Sequence, residues 1–72
     1  MAEPEEPVIY EHLGESALAR KDFAKALKNF ETAMQKFDST PEWKLQADRE
    51  WVESQKRVKV RIQELRQKAL SQ

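Results

Sequence analysis

One stripe of seven apolar side chains between residues 23 and 37 leaves this chain few folds to choose from. Phe23, Ala26, Leu27, Phe30, Ala33, Met34 and Phe37 recur at spacings of three and one, the pattern of a helix that buries one face and not of an alternating strand. Lys25, Lys28, Asn29, Glu31, Thr32, Gln35 and Lys36, which fill the other face, are all polar. A second stripe, Ile9 or Tyr10 followed by Leu13, Gly14, Ala17 and Leu18, precedes the first, and only the polar pair Lys21-Asp22 separates them. So short a break predicts two helices, about 7–20 and 23–37, folded back on each other as an antiparallel hairpin. Pro7 suits a first helical turn, and Asp22 is placed to cap the second helix with its carboxylate. Gly14 costs a helix about 1 kcal/mol relative to alanine, which predicts close approach of the neighbouring helix at that point.

Beyond Phe37, Ser39-Thr40-Pro41-Glu42 fits a capping box with proline inside the first turn. No glycine or proline follows as far as Gln72, so a single third helix is expected over about 41–70. At 1.5 Å per residue it would be roughly 43 Å long, against roughly 22 Å for the second helix, and its far half would overhang the hairpin. Trp43, Ala47, Trp51, Gln55, Val58, Ile62, Leu65 and Ala69 continue one stripe along it, in the manner of a coiled-coil seam. The two tryptophans are expected to pack on the hairpin, with exposure as anchors for a partner as the alternative, and Val58, Ile62 and Leu65 to need a surface from elsewhere. The fold class expected is all-α, a hairpin packed by a long third helix, forming one three-helix domain over 7–72 behind a disordered acidic tail, 1–6.

Seventy-two residues bury only about 60% of their unfolded surface, so help from a partner is plausible. The chain has no cysteine, one histidine (His12) and one glycine. Metal clusters, nucleophile triads and phosphate-cradling loops all lack their parts, and no catalytic, cofactor-binding or metal-binding residue is expected. No run is long and apolar enough for a membrane span, and the amino terminus lacks the basic and apolar regions of a signal peptide. An intracellular, cytoplasmic protein is the expectation. Thirteen acidic and thirteen basic side chains cancel, although every charge from Glu3 to Glu15 is negative and the last turns are mostly basic. That asymmetry suits helix dipoles, and the neutral total disfavours nucleic acid and membrane as partners.

The stretch LGESALARKDFAKALKNFETAMQKF resembles a tetratricopeptide repeat. Leu13-Gly14, Ala17, Phe23, Ala26, Phe30 and Ala33 stand at positions of that signature, and Tyr10 stands where the family favours a large aromatic. Asp38 replaces the expected proline, and Lys44, Ala47 and Asp48 rule out a second repeat in the same register. The resemblance implies a non-catalytic adaptor or scaffold that binds a protein or peptide on its first helix, here on the outer face Val8, Glu11, Glu15 and Leu18. A second likeness, to microtubule-interacting and trafficking domains, rests on Asp22, Ala26-Leu27 and Phe30 and implies binding of short helical motifs from trafficking proteins. A third reading is an oligomerisation element, homomeric or heteromeric, pairing through Trp51, Gln55, Val58, Ile62 and Leu65 of the overhang.

Overall fold

Lys21 and Asp22 turn the chain between the first two helices. In the computed structural model, which describes residues 6–70 (the side chains of 69 and 70 excepted), α1 spans Pro7–Ala19 and α2 Phe23–Asp38. Lys21 takes the left-handed conformation, φ 62°, which normally favours glycine. Its N–H donates to the Leu18 carbonyl at 2.9 Å and that of Asp22 to Ala17 at 2.9 Å, closing the last turn of α1. The Asp22 carboxylate then accepts from the Lys25 N–H at 3.3 Å, so one residue ends the first helix and starts the second. Where the helices cross, a Cβ added to Gly14 would lie 2.6 Å from the Phe30 ring, so only glycine admits that ring. Ala17, Ala26, Phe30, Ala33 and Phe37 are buried around the crossing.

The end of α2 differs from expectation. Ser39 Oγ donates to the Gln35 carbonyl at 2.9 Å and Thr40 Oγ1 to Lys36 at 2.8 Å, so both hydroxyls serve the helix behind them. There is no capping box; Pro41 precedes the next helix with no side-chain cap.

The expected third helix, 41–70, is two helices, α3 Glu42–Ala47 and α4 Arg49–Leu70. Asp48 between them is extended (φ −115°, ψ 105°). Its carboxylate accepts from the Glu50 N–H at 3.0 Å and its carbonyl from the Val52 N–H at 3.2 Å, which makes it the cap of α4. Aspartate is a weak helix-interior residue and a strong cap. A straight helix would also have left Val58, Ile62 and Leu65 in water, at about 1.5–3 kcal/mol each. The break instead folds α4 back over the hairpin, so the overhang does not exist: Val58 is 0% exposed, and Ile62 and Leu65 are buried beside it. It also changes the helical phase. Leu45 enters the core, and Trp43, expected to pack, is 75% exposed. Trp51 meets Phe37 edge to face, 6.3 Å between centroids at 78°.

The molecule measures 40 × 27 × 17 Å. Its least dimension fits two layers of helix, the hairpin and α4, with α3 against the end of α4. The expected tail lies outside the described residues except for Glu6, as does the side chain of Ala69 at the far end of the expected seam. Among the described residues no helix is long and apolar enough to cross a membrane.

Candidate functional site

The hairpin has two broad faces, and α4 lies across one of them. Its apolar side, Val58, Ile62 and Leu65, joins the core that α2 dominates, while its other flank meets α1 through ion pairs. Glu11 accepts from Arg57 Nε at 2.6 Å and Arg57 Nη2 at 3.0 Å, and from the buried Ser54 hydroxyl at 2.7 Å. One turn on, Glu15 accepts from Arg61 Nε at 2.7 Å. The pairs stack because both helices place them four residues apart, on one side of each helix. Burial pushes the Glu11 carboxyl up, but the hydrogen bonds from Arg57 and Ser54 and the charge of Arg57 outweigh it, and the carboxyl titrates below its ordinary value. The hydrogen bond to Glu11 raises Arg57 above its ordinary value, and that to Glu15 raises Arg61. Farther along, Arg66 pairs with Glu31 at 2.9 Å and Lys68 lies 4.4 Å over the Phe23 ring.

This arrangement relocates both surfaces expected for a partner. Glu11 and Glu15 face α4 and not an outer surface, and Val8 and Leu18 are half-buried. On the third-helix side, Trp51 and Gln55 are half-buried and Val58, Ile62 and Leu65 belong to the core, because Asp48 turned the helix back.

The opposite face of the hairpin is bare. Ile9, Leu13 and Ser16 of α1, with Arg20 just past its end, form one exposed strip at spacings of four, three and four; Lys25, exposed, and Asn29, Thr32 and Lys36, half-buried, form the matching strip of α2. Each strip lies about 90° round its helix from the line of contact, on the side away from Glu11 and Glu15 on α1 and from Glu31 and Met34 on α2. Lys36 Nζ, 5.6 Å over the Tyr10 ring, bridges the seam between the strips. Ile9 and Leu13 are exposed large apolar residues, Leu13 at 48%. Arg20, Lys25 and Lys36 give the strips positive charge, and Glu6 lies beside Thr32 and Lys36 at one end.

Leu13 reads as a core residue in the sequence, and the structure corrects this. The available signal was the width of the apolar arc of α1: Ile9 and Leu13 fall on one side, Gly14 and Ala17 on another, Leu18 on a third, more than one contact can cover. The matched spacing of Glu11 and Glu15 with Arg57 and Arg61 was likewise present and unused.

His12 is exposed, and among the described residues no group of three or more His, Cys, Asp or Glu side chains comes together to hold a metal. No family model, curated protein or solved structure matches this chain.

Proposed function

We propose that this chain is a non-catalytic protein-interaction module whose bare hairpin face receives an amphipathic helix with acidic flanks from a partner protein. The observation that carries the reading is the exposed pair Ile9 and Leu13, one turn apart, with Arg20, Lys25 and Lys36 around them. Anchors at i and i+4 are what a helix laid in a groove uses, and the charge selects acidic flanks on the visitor. The likeness to tetratricopeptide repeats supports an adaptor or scaffold role, since hairpins of that kind bury their faces against neighbours and a lone one leaves a face uncovered. A second reading, a domain similar to microtubule-interacting and trafficking domains, draws support from the fold-back of α4, which completes a set of three longer helices.

The test is carbodiimide crosslinking in a cell extract, which joins lysine amines to partner carboxylates in contact with them. Acidic, amphipathic helical segments are expected on Lys25 and Lys36 of the intact protein and are expected to vanish from an Ile9→Ser, Leu13→Ser double variant. Val60→Ser, at an exposed apolar residue on α4, serves as the control. Crosslinks that persist in the double variant, or that come from segments without acidic and apolar faces, would sink the proposal.

A further inference from the structure

We propose that two copies of this chain exchange α4: in the dimer, α3 and α4 merge through Asp48 into one straight helix, and each α4 lies across the closed face of the other copy's hairpin. The inference is independent of what the bare face binds. Asp48 is the one non-helical residue between Glu42 and Leu70, and the segment holds no glycine or proline that would oppose a continuous helix. The contacts that hold α4, namely Val58, Ile62 and Leu65 against the hairpin and the Glu11–Arg57 and Glu15–Arg61 pairs, are the same when a second copy supplies them. Exchange therefore keeps all of these contacts, and what separates the two states is the hinge: the packing of α3 against α4 and the cap at Asp48, both of which straightening gives up.

Helical phase favours the merged form. On a straight helix Leu45 would lie about 140° from Val58 and about 160° from Leu65. Leu45 would then face one side of the merged helix while Val58 and Leu65 face the opposite way, where the second hairpin must be. Trp43 would lie about 60° from Val58, on the side the second copy covers. The merged helix thus offers cover to the side chain that is 75% exposed in the folded-back chain. Against this stands the cap at Asp48, whose carboxylate holds the Glu50 N–H only while the chain bends there.

Two experiments test the proposal, and both must agree with it. In the first, sedimentation across a concentration series compares the hinge variants. Asp48→Ala removes the cap and improves the helix, and is expected to tighten the dimer dissociation constant by about tenfold or more; Asp48→Gly, which disfavours the straight helix, is expected to loosen it. Equal constants in the intact protein and both variants overturn the proposal. The second experiment mixes Glu11→Arg, Glu15→Arg chains with Arg57→Glu, Arg61→Glu chains. Each is expected to be destabilised alone, because its own α4 meets like charge. Mixed, they are expected to give a two-chain species with a raised melting temperature, since exchange restores both opposite-charge contacts. A mixture that stays at single-chain mass overturns exchange.

Discussion

The two faces of the hairpin are built from the same two helices and end in opposite conditions. On the closed face α4 brings an apolar seam to α2 and an ionic seam to α1. On the bare face Ile9 and Leu13 remain in water between positive side chains. The closed face shows how labour divides between the seams. Apolar burial is not directional and would tolerate some sliding of α4, whereas the ionic seam has a register. A slide of one turn would bring Arg61 to Glu11 but set Leu65 against Glu15 and strand Arg57. The bare face has no such lock.

The contrast can be broken most forcefully on the apolar seam. Leu65→Ala, at a buried position on α4, is expected to cost about 2–5 kcal/mol in urea unfolding. Next in size is Gly14→Ala: the added methyl meets the Phe30 ring at 2.6 Å, and the overpacking, about 1–3 kcal/mol, is expected to exceed the helix-propensity gain of about 1 kcal/mol. The ionic seam follows with a similar range. Arg57→Ala leaves the buried Glu11 carboxylate with Ser54 as its remaining partner, at an expected cost of about 1–3 kcal/mol, whereas Arg66→Ala, at a surface pair, is expected to change stability by less than about 0.5 kcal/mol.

The same seam predicts a pH dependence. Because the folded Glu11 carboxyl titrates below its unfolded value, the unfolded chain takes up the proton first as pH falls. The stabilisation is present above the ordinary carboxylate range and is lost as pH falls through the folded value. Unfolding titrations stepped downward from neutral pH should show that slope, and Glu11→Gln should flatten it. The arginines, raised above their ordinary value, would lose their contribution only in strong alkali. Smallest of all is the bare face, where Leu13→Ser is expected to shift stability by no more than about 0.5 kcal/mol while abolishing the crosslinks from Lys25 and Lys36. A large loss of stability there would mean that Leu13 belongs to the core after all.

These contrasts also explain which parts of the molecule could be read from its residues. The stripe from Phe23 to Phe37 names one face of one helix, and α2 follows it within a residue. Gly14 was legible because a glycine inside a helix has few reasons to be there, and the Phe30 ring is the reason found. The bend at Asp48 was not, since the spacings from Trp43 through Trp51 to Leu65 join on paper into one seam and no glycine or proline interrupts them. What decides the bend is tertiary: the apolar side of α4 needs the hairpin, and Asp48 is merely a residue that can cap where the chain must turn. For the same reason a buried Glu11 could not be seen from α1 alone; its burial depends on Arg57, 46 positions away.

The turn at Lys21-Asp22 joins α1 and α2 across so little chain that almost no loop entropy is lost in closing it, while α4 must find α1 from the far end of the molecule. Contacts near in sequence generally form first, which sets an order of assembly: hairpin early, α4 late. Chevron kinetics should show it, with Ala26→Gly slowing refolding and Ile62→Val chiefly hastening unfolding. Until its own α4 arrives, a newly formed hairpin presents an unoccupied face to every other chain in the tube. The density of molecules at the instant of refolding, and not during later storage, would then set how many pairs are trapped.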